Sequence, residues 1–517
     1  MKEFLNVLLE QGLADADAAT VEQVKAGAQA AGRRLLGGPT AGIYPNSLHQ
    51  SQGILYCVAR NERGKSVLAL APQSAQFPFD GPVEQHDGYY MQRAEPGPQT
   101  ARVLHELFPF TRPVSLRDKR TTIGMGDRLG MASAGQIRAA CRYQVSPVLA
   151  QQSVRELKFT GRTFADVVAD ATFLVFQEGF EAGYGADGDH LKSIDQIDTA
   201  LAERMPMITL DLTEVLVPDA ANWSGDRLEN AYKERPADFR SRVEREYAGQ
   251  SFNLGNGVSV SISEEEAKRC AVMYGEALDF AVEVDQHLKA KTGNAYDLEV
   301  SIDETSSPTL PEHHLFIARE MEKREVSVNS VAPRFIGDFQ KAVDYIGDPA
   351  EFERQFAVHC EIARSFGTYK ISVHSGSDKF SVYPIIGRHT EGRFHLKTAG
   401  TSWLESIRVM AEKRPDLYRR IHRKAYDYFA EAKKQYAITT NVDAIRDLDE
   451  VGDEQLPSFL EDPNCRQLLH ITYGGLLNDE ELRQPFFTSL YQEEEAYNDA
   501  LYALFDKHLG LLFGERR

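Results

Sequence analysis

Residues 183–193, "GYGADGDHLKS", gather Asp187, Asp189, His190 and Lys192 among small side chains. A turn needs the glycines and one carboxylate, but neither a histidine nor a lysine. The Asp-Gly pair alone is also ordinary turn chemistry; with the two further groups, Asp189 and His190 stand as candidates for a reaction centre. A second segment, "VHSGSDKFSVYP" (373–384), places His374, Ser375, Gly376, Ser377, Asp378 and Lys379 together. Small residues and a lysine beside a strand end suit an oxyanion such as a carboxylate, although the same run also reads as a polar turn capping a helix. A third, "DLEVSIDETSSPTLPEHHLF" (297–316), supplies Glu299, Asp303 and Glu304, with His313 and His314 opening a helix. A fourth, "FHLKTAGTSWLE" (394–405), carries His395 and Lys397, and its "TAGTS" suits an anion at a helix N-terminus.

Several familiar chemistries are absent. "GMGDRLG" (124–130) lacks the Gly-Lys-Ser/Thr ending of a phosphate loop and the spacing of a dinucleotide fingerprint. It reads as the close of a strand, with Arg128 at the rim as a clamp for a carboxylate. There is no Gly-x-Ser-x-Gly elbow and no His-Glu-x-x-His helix. Histidines brought from separate strands to a place rich in carboxylates suit a divalent cation of the zinc, nickel or manganese kind.

The elements that must position these groups follow from hydrophobic alternation. Eight short runs read as strands: 121–126, 146–152, 183–189, 207–212, 297–303, 326–330, 369–374 and 393–399. Helical patterns separate most of them, one beginning at a capping box of Ser263 and Glu266. Alternating strands and helices argue for a parallel sheet, and eight strands close a (β/α)8 barrel; an open doubly wound sheet is the alternative. One face of these strands is polar: Thr209, Asp211 and Thr213; Glu299, Ser301 and Asp303; Ser327 and Asn329; Ser372 and His374; His395 and Lys397. An antiparallel sheet with one solvated face shows the same alternation, but the intervening helices disfavour it. In a barrel these groups face a wet, functional interior, because burying an unpartnered charge costs several kcal/mol.

The chain divides accordingly into an N-terminal helix and β-hairpin unit (1–118), a barrel (119–411) with a charged insertion near 213–262, and a helical C-terminal region (412–517) packed on the barrel. At 517 residues, with 42% hydrophobic and 26% charged side chains, it has the composition of an ordinary soluble globular protein. The net charge of −19 argues against nucleic acid or an anionic membrane as partner. No apolar run is long enough to span a bilayer. The start reads as an amphipathic helix, and the five cysteines are scattered without a C-x-x-C pair. A cytoplasmic protein with reduced thiols is expected, and a homo-oligomer is allowed.

Taken in order, "GMGDRLG", "GADGDHLK", "SIDETSSPT", "HSGSDKFSVYP" and "KTAGTSWLE" resemble the tagaturonate epimerase family over roughly residues 120 to 410. The resemblance implies a metal-dependent (β/α)8 barrel interconverting tagaturonate and fructuronate at C4. It implies an acid/base pair that includes Asp189, and a metal held in part by His190. His374, by its strand-end position, and then His395 complete the expected metal set, with His314 in reserve. The second acid/base group is expected to be Glu304, with Glu299 its rival. Lys379 with Ser375, Arg128 and Lys397 are the expected substrate-binding side chains. A ketol-isomerase or aldolase on the same barrel is an alternative, as is a sugar-binding protein without turnover.

Overall fold

The computed structural model describes residues 1–38, 40–303, 305 and 307–514. At its centre lie β1 (Thr121–Gly124), β2 (Ser146–Ser153), β3 (Gly185–Leu191), β4 (Met207–Asp211), β5 (Asp297–Ile302), β6 (Val328–Pro333), β7 (Lys370–Val373) and β8 (Phe394–Lys397). Each is parallel to its neighbours, and β8 pairs with β1, Phe394 opposite Thr121, so the sheet closes. The fold is the expected (β/α)8 barrel; closure excludes an open sheet, and parallel pairing excludes an antiparallel one. Leu298, Val300 and Ile302, Ile371 and Val373, and Phe394 and Leu396 pack outward in one continuous core with the surrounding helices. Their alternating partners therefore turn inward.

Two β-bulges change that parity where it matters. Between Gly188 and Leu191 the register of β3 on β4 shifts, so that Asp189 and His190 together oppose one residue of β4. His190 takes a left-handed φ of 54°. Simple alternation would send these neighbours to opposite faces; the bulge lets both reach the mouth of the barrel. A second shift, between Leu298 and Glu299 on β6, places Ser330 opposite Glu299. This corrects the expectation for β6. Ser330, not Ser327 or Asn329, turns inward and donates to Glu299, whereas Ser327 accepts from Arg117.

The hairpin expected near the N-terminus is present as Ile54–Asn61 and Gly64–Ala71, but it is the middle of a seven-stranded antiparallel sheet. Leu55, Cys57 and Ala59 face a core with the helices Lys2–Glu10 and Ala18–Ala30; Ile54, Tyr56 and Val58 face a core shared with the helix Phe164–Glu178. Both faces are covered, so the hairpin could not stand as a separate ribbon. The segment after β4 holds two helices, a hairpin of Gln250–Asn253 with Ser259–Ile262, and a 29-residue helix, Glu264–Thr292. Ser263 caps that helix by accepting from the Glu266 amide at 3.1 Å. The reciprocal half of the expected box is missing, because the Glu266 carboxylate is engaged by His313 and Arg269.

Beyond the barrel, the helix Pro463–Ile471 lies over the loops that follow β6 and β7. Arg466 donates to the Ala342 carbonyl at 2.8 Å and to Asp378 at 2.9 Å, and Gln467 donates to the Lys341 carbonyl at 3.1 Å. The last helix, Glu494–Phe513, returns along the outside and ties in the N-terminal sheet, Glu494 accepting from Tyr44 at 2.6 Å and Arg60 at 2.7 Å. Its close approach depends on Gly387, where an added Cβ would lie 1.9 Å from the Leu512 carbonyl oxygen. Gly387→Ala is therefore expected to destabilise the protein by about 1–3 kcal/mol or more. Gly27→Ala, in an exposed helical position with nothing within 4 Å of the new methyl, should stabilise it by up to ~1 kcal/mol. Urea unfolding of both variants checks the pair; a Gly387→Ala protein as stable as the parent would contradict the packing described.

Candidate active site

The inner faces of β3, β4, β5 and β8 converge on one ammonium group. Lys397 Nζ lies 2.6 Å from Asp189 Oδ1, 3.0 Å from Asp187 Oδ2 and 3.0 Å from Glu299 Oε1, and it also donates to Thr209 Oγ1. Burial alone would discharge Lys397, but Asp187, Asp189 and Glu299 overcome it and hold the ammonium well above its ordinary range. For Asp189, burial favours the acid, yet Lys397, His190 and His374 reverse this and keep the carboxylate ionised. Asp187 goes the other way: burial, reinforced by Asp189 and Glu299, outweighs Lys397 and pushes it up to about 6. One carboxyl of the pair thus carries the charge more firmly than the other.

Above this layer, at the C-terminal ends of the strands, stand His190, Asp211, Asp303 and His374. His374 Nε2 is 2.7 Å from Glu299 Oε1, and its Nδ1 is 3.0 Å from Asp303 Oδ2. Burial would strip its proton, but Asp303 leads the opposing influences and the ring is pushed up to about 10. His190 Nδ1 lies 3.5 Å from Asp211, and the His190 and His374 ring centroids are 5.0 Å apart. Each of His190, Asp303 and His374 offers one donor atom, and these atoms lie within 4.8 Å of one another. The Nδ1 atoms of both histidines are buried and face carboxylates, Asp303 for His374 and Asp211 for His190, without a hydrogen bond of good geometry among the described residues. Two imidazole nitrogens set this close to a carboxylate, in poor geometry for direct hydrogen bonds, fit a divalent cation. With Nε2–H of His374 given to Glu299, a cation would take the place of the Nδ1 proton beside Asp303, the arrangement of a carboxylate–histidine–metal triad.

Several expected residues are elsewhere. His395 does not join the cluster: its register partner on β7 is Ser372, one layer below His374, and its Nδ1 pairs with Thr122 Oγ1 at 2.9 Å. His314 is outside the barrel, its ring nitrogens taken by His359 at 2.9 Å and Tyr369 at 2.7 Å. Lys379 is also misplaced. It is wholly buried and donates to the carbonyls of Gln340, Val343 and Ser377 at 2.7–2.8 Å, so it fastens loops together and has no donor left for a substrate. Lys397 is saturated by its acidic neighbours and positions Asp189 instead of holding a carboxylate. Glu299 is fully enclosed, with both oxygens engaged by Lys397, His374, Thr209 and Ser330. That set supports its neighbours and leaves it unsuited to carry protons to a substrate. Ser375 follows His374 at the mouth with a left-handed φ of 46°. Arg128 is buried beside Glu156, at 2.7 Å. Glu304 lies outside the described residues. Asp303 is the ligand candidate that sequence reasoning left without a role, although alternation from Glu299 through Ser301 had already turned it inward.

A closed parallel barrel with an ionised acid/base candidate and a nitrogen–oxygen donor set at its C-terminal mouth defines a (β/α)8 enzyme of the kind that works on small polar substrates. The UxaE family model, tagaturonate epimerase, matches residues 44–512. The chain is 37% identical to a tagaturonate/fructuronate epimerase of Thermotoga maritima, covering 91% of this chain and 97% of that protein. The native crystal structure of the fructuronate-tagaturonate epimerase UxaE from Cohnella laeviribosi superposes with a TM-score of 0.87 at 42% identity, covering 96% of this chain and 99% of that one. A glycerol complex of the same protein gives 0.87 at 41%, covering 95% and 99%. The chain belongs to the tagaturonate epimerase family.

The His314–His359 pair makes a separate, measurable prediction. One ring must donate and the other accept across the 2.9 Å contact, so both cannot be charged. Burial holds His359 down to about 4 from 6.5 and His314 well below that ordinary value. The unfolded chain therefore takes up protons that the folded chain refuses, and this contribution to stability is complete above about pH 6.5 and lost as pH falls toward 4. Each such histidine contributes a slope of up to ~1.4 kcal/mol per pH unit. His359→Gln should flatten the dependence of urea-unfolding free energy on pH between 7 and 5; an unchanged slope would mean the pair does not resist protonation.

Proposed function

We propose that this protein interconverts D-tagaturonate and D-fructuronate at C4 with the help of a divalent cation. The observation that carries the reading is the position of Asp189, kept ionised by Lys397 at 2.6 Å and standing beside the His190–Asp303–His374 donor set. In a 2-keto hexuronate the ketone acidifies the hydrogen on C3, not the one on C4. Direct deprotonation at C4 would leave an unstabilised carbanion. Breaking the C3–C4 bond avoids this.

In that route Asp189 accepts the proton of the C4 hydroxyl. The electron pair of the C3–C4 bond passes toward the ketone, giving a three-carbon enediolate and a three-carbon aldehyde acid. The aldehyde turns to present its other face, the bond re-forms, and the new C4 oxygen is protonated. Lys397 keeps Asp189 ionised for the first transfer, and the Glu299–His374 contact fixes the ring that faces the substrate. His190, Asp303 and His374 would hold the cation, which would supply Lewis-acid stabilisation for the negative charge that develops on the ketone oxygen. For the proton delivered from the opposite side we retain Glu304, which directly follows Asp303 in the chain.

Incubating the purified protein with fructuronate and following products by NMR should reveal tagaturonate. Asp189→Asn should lower kcat by about 10²–10⁴ with metal content intact. Asp303→Asn and His190→Ala should instead lower metal content as measured by mass spectrometry. Full turnover after complete removal of divalent ions would end the Lewis-acid reading, and accumulation of the free aldehyde acid without tagaturonate would identify an aldolase.

A further inference from the structure

The mechanism above leaves a second polar cluster at the mouth unused. Arg128, 3% exposed, gives one Nη to Glu156 at 2.7 Å and stacks its guanidinium 3.9 Å from the centre of the Tyr473 ring. Its Nε and Nη1 are buried and have no partner among the described residues. His470 lies in the field of Arg128, is 1% exposed, and has neither ring nitrogen hydrogen-bonded. The hydroxyls of Tyr436 and Tyr473, both close to the guanidinium, are buried and interact with each other, without a bond of good geometry. Leaving one such group unsatisfied costs about 1–3 kcal/mol. Several collected in one place point to a ligand that satisfies them together.

The chemistry of that ligand is legible from the donors. Arginine donates only, and phenol hydroxyls donate readily to an anion. Burial and the neighbouring cations keep His470 uncharged, so one ring N–H is available. Two guanidinium N–H groups, one imidazole N–H and one hydroxyl of the Tyr436–Tyr473 pair, whose side chains interact with each other, match the four lone pairs of a carboxylate. The cluster adjoins the reaction centre: Glu156, its anchor, feels the charge of Asp189, and a Cβ on Gly400, three residues beyond Lys397, would lie 2.7 Å from the Arg128 guanidinium. Of the other cations near the mouth, Lys397 and Lys379 are engaged as described and Lys192 lies beside Asp211 at 3.6 Å, while Lys341 adds its positive field at Glu156 and His470.

We propose that Arg128, His470, Tyr436 and Tyr473 form the subsite for the carboxylate of the sugar-acid substrate. The C-terminal helices that roof the barrel thus supply substrate recognition. This rests on the reading that the substrate is a uronate. Calorimetric titration of the purified, metal-loaded protein with glycerate and with glycerol separates the carboxylate from the rest of a three-carbon fragment. Glycerate should bind the parent protein more tightly by about tenfold or more, and His470→Gln, Tyr436→Phe and Arg128→Lys should each erode that preference while glycerol binding is unchanged. With fructuronate, the same variants should raise KM more than they lower kcat at unchanged metal content. A parent protein indifferent to the carboxylate, or folded variants that keep the full preference, would overturn the subsite. If Arg128→Lys unfolds for want of its pair with Glu156, the other two variants decide the matter. A parent that turns over no fructuronate yet prefers glycerate would refute the proposed activity and leave the subsite standing.

Discussion

A buried lysine among carboxylates organises this barrel. Removing Lys397 would leave Asp187, Asp189 and Glu299 facing one another without a countercharge in a buried site, a change that costs several kcal/mol in buried ion pairs. Asp187 and Asp189 come from β3, Glu299 from β5, Thr209 from β4, and the lysine itself from β8. The network spans the barrel interior, and the layer above inherits its geometry. Asp189 is oriented by the ammonium, His374 is aligned by Glu299, and Asp303 is brought opposite His374 two residues farther along β5.

The same network explains why lysines of similar appearance have different roles. Lys379 has nearly the same sequence setting as a substrate-binding lysine, among small residues after a strand end. Its φ-positive neighbour Asp378 accepts from Arg466 of the roof helix, and the lysine turns into the loops it holds together. Burial pushes it down to about 7, Asp378 and Asp344 offset this only in part, and its hydrogens go to three neutral carbonyls. Lys397, equally buried, keeps its charge because carboxylates surround it.

Much of this architecture was legible in the chain, and the losses have local causes. All eight barrel strands were legible as short β-like runs between helical patterns, and in five of them alternation showed which face turns inward. The bulges were invisible to that pattern, and they decide that His190 joins Asp189 and that Ser330 replaces Asn329 inside. His395 shares the inward parity of Lys397, but parity gives a face and not a depth, and its layer is below the donor set. His314 sits at a helix start, where the sequence could not say which way the helix faced. The remaining N-terminal strands were lost because pieces such as Leu36–Gly37 and Gly42–Ile43 are too short to alternate. Nothing in the C-terminal helices announced His470, since Arg128, the charged group of its cluster, comes from the far end of the barrel sequence.

On the proposed reading, the mouth has two chemically distinct halves. The β3–β5–β7 side concentrates carboxylates around Lys397 and the histidines, and it suits a cation and the hydroxyl end of a sugar. The side built by the β1 and β2 loops and the C-terminal roof presents Arg128 and neutral donors. A keto uronate has the same polarity along its length, a chelating ketone and hydroxyl at one end and a carboxylate at the other. Laid along that gradient, it places its middle carbons next to Asp189, which lies between the two halves because Glu156 joins Arg128 to its neighbourhood. After cleavage, the aldehyde fragment is the piece that carries the carboxylate. Holding that end at the roof lets the aldehyde turn about a fixed anchor instead of diffusing away, and this separates an epimerase from an aldolase built on the same barrel.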